Sequence, residues 1–309
     1  MTKFIKKVLL FFVLIAMIDI TCGFGFSYLR SHAKGGDTQK NYYISEQCCD
    51  DILILGSSRA ARHYDPQVLE DSLHMSCYNC GEPGCGIITA FARYGMIEQR
   101  HKPKLVIYEI SPLYDYFILD DNSKYLGRVR QYANKPPVRQ MFIELGDELE
   151  GVRLWSNMYL NNSFIFHNVL DNVMSDGNGN GFKPLHGIIK SDAQEGARVN
   201  NYWQTDSVKL SYIENLIIKF QKDSVGLCFM VSPRYISEEN ARKQDSDYVT
   251  LARLCDKYGI PFINHTYMEG ISNKHELFQD FGHMNKDGAK RYSEAIVADL
   301  KQYVAMLNN

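Results

Sequence analysis

Short apolar runs that alternate with helical segments constrain the fold of this chain more than any other feature. Five runs have the pattern of strands, and four segments between and after them carry apolar residues at helical spacing. Strands that alternate with helices predict a parallel sheet covered on both faces, an α/β fold. We predict strands at 51–55, 75–78, 104–110, 225–231 and 260–263, and helices at 86–99, 206–222, 238–258 and 286–307.

Chemistry is expected directly after the predicted strands. Ligands of parallel sheets bind at the carboxyl ends of the strands, outside the sheet. Polar or glycine-rich segments occupy these positions: Gly56-Ser57-Ser58, residues 81–86, Ser111-Pro112, Ser232-Pro233 and the segment after Ile263.

Residues 112–205 do not fit the alternation, and we predict an insertion between the third and fourth strands. The insertion is rich in aromatic residues, among them Trp155, and contains the turn cluster SDGNGNG at 175–181. No helix begins directly after this cluster, which argues against a phosphate loop. We predict a packed helical cap; a platform of exposed aromatic side chains for sugar rings is the alternative.

The N-terminus has the pattern of a membrane anchor. Three lysines within residues 1–7 precede an apolar stretch, Val8 to Leu29. As a helix these residues span ~33 Å, enough to cross a bilayer core. The lysines favour a cytoplasmic location for residues 1–7. The rest of the chain would then lie in the periplasm or at the cell surface. A cleaved signal peptide is the alternative, since Val8–Ile18 has the length of its apolar region.

Asp19 lies in the middle of the predicted span at 8–29. A lone carboxylate there costs ~2.5–3.5 kcal/mol. Either Asp19 is protonated or paired with a partner helix, or the helix tilts and Asp19 lies near an interface. Residues 30–50 are polar and lack a period, so we predict a linker from the membrane to a domain at 51–309.

Composition excludes some classes of function. The 309 residues carry 34 Lys and Arg against 36 Asp and Glu, and without a basic run no nucleic-acid partner is expected. The chain has eight cysteines, of which Cys22 lies in the predicted span. The other seven cysteines are an odd number, and their count does not settle whether the compartment is oxidising or reducing. The spacing of Cys77, Cys80 and Cys85 does not match a zinc site.

The strongest chemical pattern joins the two ends of the predicted domain. Gly56-Ser57-Ser58 places a hydroxyl between a strand and a helix N-terminus, whose N–H groups can hold an oxyanion. Asp280 precedes His283 by three residues, before the last helix, in position to hold the imidazole in one tautomer. Both ends of a doubly wound sheet meet at one crevice, so we expect His283 to reach Ser58.

With these motifs and a glycine-rich turn after the second strand, the chain resembles the SGNH (GDSL-like) hydrolases over 51–309, apart from the insertion. The resemblance implies a flavodoxin-like three-layer fold and a Ser-His-Asp triad. Ser58 then corresponds to the nucleophile, His283 to the base and Asp280 to the orienting acid. The N–H groups of Ser58 and Gly84 correspond to the oxyanion hole.

The chain departs from this family in two places. Ser57 stands where the family has the Asp of Gly-Asp-Ser. The third strand ends in YEISPLYD, where the family has Gly-x-Asn-Asp, so the oxyanion asparagine has no clear counterpart. Asn79 is a speculative substitute. Loss of one such donor typically costs ~10²–10³ in rate.

Gly-Ser-Ser and Asp-x-x-His-x-Asn behind one membrane helix are similar to a narrower branch of this family. Its members are the extracytoplasmic proteins that accompany membrane-bound O-acyltransferases in teichoic-acid D-alanylation and alginate O-acetylation. This resemblance implies a serine esterase or O-acyltransferase for acyl esters of cell-surface glycans or small acyl esters, with a membrane-bound O-acyltransferase as partner. No metal or organic cofactor is expected. The alternative is a non-catalytic glycan-binding or scaffold subunit of a membrane acylation complex.

Other polar residues near these motifs have simpler interpretations. His275 and Glu276 are adjacent, which argues against a metal cluster with the Asp-x-x-His motif. We interpret His63 as a surface residue of the first helix. Arg59 and Arg62 are expected to be solvated, although Arg59 borders the crevice.

Overall fold

Five parallel strands form one sheet in the computed structural model of the protein, in the order β2-β1-β3-β4-β5. The predicted α/β parallel sheet is therefore confirmed, and the strand order is that of flavodoxin-like doubly wound sheets. The structure describes residues 1–118, 120–173, 179–191 and 204–307. The strands are β1 (Ile52–Gly56), β2 (Cys77–Asn79), β3 (Leu105–Glu109), β4 (Gly226–Val231) and β5 (Phe262–Asn264).

Helices and 3₁₀ segments make up the other regular elements of the described residues. The α-helices are α1 (Thr2–Ser31), α2 (Gly36–Glu46), α3 (Ser58–His63), α4 (Pro66–Leu73), α5 (Ile87–Ile97), α6 (Pro112–Asp115), α7 (Pro136–Leu145), α8 (Glu150–Arg153), α9 (Asn157–Asn161), α10 (Ile165–Val173), α11 (Ser207–Lys222), α12 (Glu238–Arg242), α13 (Val249–Tyr258), α14 (Lys286–Ala295) and α15 (Val297–Leu307). The 3₁₀ segments are Asn122–Tyr132, Asp245–Tyr248 and His275–Leu277.

The chain divides into two compact units. The first, helical unit consists of Met1–Gln47 and Leu126–Asn178. The second unit contains the sheet and consists of Cys48–Tyr125 and Gly179–Asn309. Of the predicted turn cluster SDGNGNG, residues 175–178 lie outside the described residues.

Helices cover both faces of the sheet in the second unit. Alternate residues of a strand point to opposite faces. On one face, Ile52 and Ile54 belong to an apolar cluster with residues of α3, α4, α14 and α15, including Tyr292. On the other face, Tyr108 contacts Phe229, and α5 and α11 pack together against the strands. The central strands are buried on both sides, which explains their continuous apolar runs.

Two long helices predicted from the sequence are each broken in the structure. The segment 238–258 forms α12 and α13 with a 3₁₀ turn between them, and 286–307 forms α14 and α15. The apolar stripe nevertheless continues across the second break, since Tyr292, Ile296 and Leu300 are all fully buried. Helical periodicity therefore located the buried face correctly and missed the local change of direction.

The segment predicted as a linker at 30–50 contains helix α2, which packs against α1 and α10 within the first unit. Its buried face is polar. Thr38 donates its N–H to the Asp171 carboxylate at 2.9 Å and its hydroxyl to Asn168 at 3.0 Å. A polar buried face leaves no apolar stripe in the sequence, which is why the helix was not predicted.

Helix α1 is long and apolar enough to cross a membrane, and its most apolar 18-residue window is not buried. Asp19 faces the other helices of the first unit. Its carboxylate accepts hydrogen bonds from the Ser156 hydroxyl at 2.7 Å and from the N–H groups of Asn157 at 2.8 Å and Met158 at 2.9 Å. The partner of Asp19 in this structure is therefore the first turn of α9 in the same chain.

Gly56, at the end of β1, is expected to tolerate no side chain. It has φ +130, and a Cβ would overlap the carbonyl oxygen of Glu109. Gly56→Ala should lower the free energy of unfolding by about 3 kcal/mol or more, through backbone strain and overlap together. Gly259 also has positive φ, +64, with no atom within 4 Å of an added Cβ, so Gly259→Ala should cost only about 1 kcal/mol. Urea unfolding followed by circular dichroism measures both; equal losses would contradict the steric explanation.

Candidate active site

Ser58 begins helix α3 directly after β1, at the carboxyl edge of the sheet. The chain turns at Gly56, whose positive φ favours glycine. Ser57, the neighbouring serine, is buried, and among the described residues its hydroxyl has no hydrogen-bond partner. Of the two adjacent hydroxyls, only that of Ser58 is directed at another predicted site residue.

That residue is His283, which lies 225 positions later in the chain. The Ser58 Oγ is 2.8 Å from the His283 Nε2. The His283 Nδ1 is 3.0 Å from each carboxylate oxygen of Asp280. Asp280 also accepts hydrogen bonds from the N–H groups of Gly282 at 2.8 Å and His283 at 2.9 Å, which tighten the loop. A carboxylate at Nδ1 keeps the proton there and leaves Nε2 free to accept the serine proton.

The protonation states suit this arrangement at neutral pH. Burial lowers the pKa of His283 below its usual 6.5, and the nearby charges of Arg62 and Arg59 lower it further, against the opposing effect of Asp280. Burial alone would raise the pKa of Asp280, but hydrogen bonds from the His283 imidazole and the Gly282 N–H outweigh it and lower the pKa. The pair is thus a neutral imidazole beside a carboxylate, the form that acts as a general base.

The three predicted oxyanion donors differ in their surroundings. The N–H of Ser58 lies in the first turn of α3, where a helix offers no acceptor of its own. Gly84 lies in the exposed turn after β2, with φ +74 and open space around it. Asn79 is fully buried, and its Nδ2 donates to the carbonyls of Ala60 at 2.7 Å and Tyr64 at 3.1 Å. Both amide hydrogens of Asn79 are thus used within the fold, which corrects its assignment as an oxyanion donor.

A buried polar network around Glu109 extends behind the serine. Glu109, the last residue of β3, is fully buried, and its carboxylate is 3.0 Å from the Arg59 Nε. It also accepts hydrogen bonds from the Tyr64 hydroxyl at 2.5 Å and from the N–H and hydroxyl of Ser232 at 2.9 and 3.0 Å. Arg59 is only 8% exposed, so the expectation that it is solvated is wrong. A glutamate inside the apolar run of β3 was the signal in the sequence, because a buried carboxylate requires partners.

His63 continues this network to the loop that carries His283. Its Nε2 accepts the N–H of Met284 at 3.0 Å, so the ring proton is on Nδ1, which donates to the Ser232 hydroxyl at 2.7 Å. Burial, followed by the charge of Arg59, lowers the pKa of His63 well below 6.5. The interpretation of His63 as a surface residue is therefore wrong; it is a buried, neutral residue that positions the loop next to His283.

Among the described residues, no group of three or more His, Cys, Asp or Glu side chains is arranged to hold a metal ion. His275 lies beside Glu276, with its Nδ1 3.3 Å from the carboxylate. No family model matches the chain, and no curated protein matches it significantly. The roles assigned to the site residues therefore rest on their geometry.

Loss of Arg59 should destabilise the fold, because the buried Glu109 carboxylate would lose its ion-pair partner. Arg59→Met would bury Glu109 without its cationic partner, and we expect a loss of about 3–5 kcal/mol in the free energy of unfolding. The matched control is Lys104→Met, since the side chain of Lys104 is 65% exposed in its 3.2 Å pair with Asp51 and its loss should cost at most about 1 kcal/mol. Urea unfolding measures both. Comparable losses in the two variants would contradict the buried network.

The pKa of His283 should shift in opposite directions when Asp280 and when Arg62 is neutralised. In the unmodified protein we expect it below 6.5. Asp280→Asn removes the carboxylate that raises it, so the pKa should fall further, whereas Arg62→Gln removes a positive charge and should raise it. Histidine NMR titration of the full chain, with His283→Gln to assign the resonance, measures these shifts. Shifts of the reverse sign would contradict the arrangement of charges.

Proposed function

We propose that the protein is a membrane-anchored, extracytoplasmic serine esterase or O-acyltransferase that acts on acyl esters of cell-surface glycans. The observation that supports this most strongly is the 2.8 Å contact between the Ser58 Oγ and the His283 Nε2. Behind it, the Asp280 carboxylate holds the other imidazole nitrogen. A serine, a neutral imidazole and a carboxylate in this order are the parts of a nucleophilic acyl-transfer site.

The first half of the proposed reaction forms an acyl-enzyme. The Ser58 Oγ attacks the ester carbonyl carbon while the His283 Nε2 takes its proton, and Asp280 stabilises the resulting imidazolium. The tetrahedral oxyanion accepts hydrogen bonds from the N–H groups of Ser58 and Gly84. His283 then returns the proton to the leaving alcohol oxygen as the carbon–oxygen bond breaks, and the acyl group remains on Ser58.

The second half transfers the acyl group to water or to a sugar hydroxyl. The incoming oxygen attacks the acyl carbon while its proton passes to the His283 Nε2. The ester bond to Ser58 breaks, and the Ser58 oxygen recovers that proton. Water yields a hydrolase and a sugar hydroxyl yields an O-acyltransferase, so the same three residues serve both activities.

The resemblance to the SGNH hydrolases supports the role of each triad residue, and the resemblance to the narrower branch supports a membrane-bound O-acyltransferase as partner. One part of the family pattern is missing. Because the amide of Asn79 is used within the fold, the oxyanion hole in this proposal consists of backbone N–H groups alone. One donor fewer corresponds to ~10²–10³ in rate, so we expect slow turnover.

Membrane attachment in this proposal comes from α1. Three lysines lie in its first two turns, and the helix has the length and composition of a single span. Lysines are retained on the cytoplasmic side, which would place the site in the periplasm or at the cell surface.

The reduced set of oxyanion donors favours one other function, a non-catalytic glycan-binding or scaffold subunit of a membrane acylation complex. Such a subunit would retain the fold without forming an acyl-enzyme. The reactivity of Ser58 distinguishes the two functions.

A fluorophosphonate probe should label the full-length protein at Ser58. The probe phosphonylates a serine that a neighbouring base activates: the serine oxygen bonds to phosphorus and fluoride leaves. We therefore expect labelling that Ser58→Ala abolishes. Ser57→Ala is the matched control, because its hydroxyl is buried and has no hydrogen-bond partner in the described part of the chain; labelling should persist. Intact-protein and peptide mass spectrometry measure the adduct. Absence of labelling, or labelling that remains in Ser58→Ala, would remove the enzyme hypothesis and leave the non-catalytic one.

A further inference from the structure

Helix α10 of the first unit directs two asparagines inward and exposes three apolar side chains, together with His167. Asn168 is fully buried and bonded to Thr38, and the Asn172 side chain donates to the carbonyl of Leu29 at 2.8 Å. The opposite face carries Phe166 and Val173, which are 69% and 78% exposed. A surface helix of a water-soluble unit has the reverse arrangement.

The neighbouring helices show the same inversion. In α9, Asn161 is 2% exposed, and its side-chain oxygen accepts from Arg30 at 2.6 Å. Asp19 of α1 faces inward to the first turn of α9, whereas the apolar residues Ile20 and Phe24 face outward. Polar residues directed inward and apolar residues directed outward are typical of helices surrounded by lipid.

The contacts with α1 fix the level of α9 and α10 along the membrane-spanning helix. The first turn of α9 is bonded to Asp19, and the last turn of α10 is bonded to Leu29. Between the last N-terminal lysine and Asp19, only the segment Val8–Ile18 remains. That segment spans ~16 Å as a helix, about half of a ~30 Å hydrocarbon core. The other half must be crossed by the part of α1 against which α9 and α10 pack.

The sequence of this region fits immersion in lipid. From Leu154 to Leu170 there is no Asp, Glu, Lys or Arg, although charged residues flank the stretch at Arg153 and Asp171. Several inward-facing polar groups of α9 and α10 bond to α1 and α2, and burial in hydrocarbon leaves these bonds intact. The Asn168 Nδ2 has no hydrogen-bond partner among the described residues.

We propose that α9 and α10 lie within the outer leaflet beside α1, with Met158, Phe166, Val169 and Val173 in contact with lipid acyl chains. These four residues are the lipid-facing patch. The proposal rests on the membrane anchoring by α1 that belongs to the proposed function, and it is independent of the chemistry at Ser58.

Fluorescence quenching by brominated lipids tests the position of the patch. Trp155→Phe and Trp203→Phe are introduced into the full-length chain, so that the fluorescence comes from a single new tryptophan. The protein is then reconstituted in vesicles of phosphatidylcholine and phosphatidylglycerol. With bromine on the acyl chains, Phe166→Trp should lose about half of its emission, because the patch lies at acyl-chain depth. Ile218→Trp is the matched control, an exposed apolar position of α11 in the second unit, and should keep its emission. Equal quenching at both positions, or none at position 166, would overturn the proposal.

Two further measurements separate the causes of a negative result. If alkaline carbonate extracts the protein from the vesicles, the anchor fails and the lipid-facing patch fails with it. A protein that resists extraction but shows no quenching at position 166 refutes the patch alone. A photo-crosslinking residue at position 166 in native membranes should give lipid adducts. An adduct with another membrane protein instead would assign the patch to a protein partner and overturn the lipid contact.

Discussion

The Glu109 carboxylate at the end of β3 is the group on which the proposed site depends. Buried without partners, it would cost far more than the fold gains elsewhere, so its partners must lie at fixed positions. Arg59 and Tyr64 come from α3 and the turn after it, and Ser232 comes from the end of β4. One charge thereby holds the helix that begins at Ser58 against two strands of the sheet.

The same network extends to the base. Ser232 accepts the Nδ1 proton of His63, and the His63 Nε2 accepts the N–H of the residue after His283. The position of His283 is thus set by hydrogen bonds on both sides: the buried network on one, and Asp280 on the other. Preorganisation of this kind lets a serine and an imidazole meet without a conformational change at the moment of reaction.

Three helices of the first unit, α1, α9 and α10, differ from the second unit in which side chains they expose, although the first unit also buries apolar residues such as Val138 and Phe142. In the second unit, apolar side chains pack between helices and sheet. In α1, α9 and α10 of the first unit, inward-facing polar groups such as Asp19 and Asn161 bond to neighbouring helices, while apolar side chains such as Phe24 and Phe166 are exposed. The proposed contact with lipid would account for this arrangement, since apolar side chains that face acyl chains are kept from water while the polar groups bond to neighbouring helices. It also explains why α2, with a polar buried face, was predicted as a linker.

The sequence alone determined the parallel sheet, the membrane-length helix, and the placement of Ser58 and His283 after strands, at the carboxyl edge of the sheet, because periodicity and strand-end motifs are local properties. Only the tertiary structure decided which polar residues are buried and paired. Asn79, His63 and Arg59 all lie near the predicted motif, yet each is engaged within the fold. A hydrogen bond requires atoms within about 3 Å, and that distance depends on the packing of elements far apart in the chain, which no local pattern records.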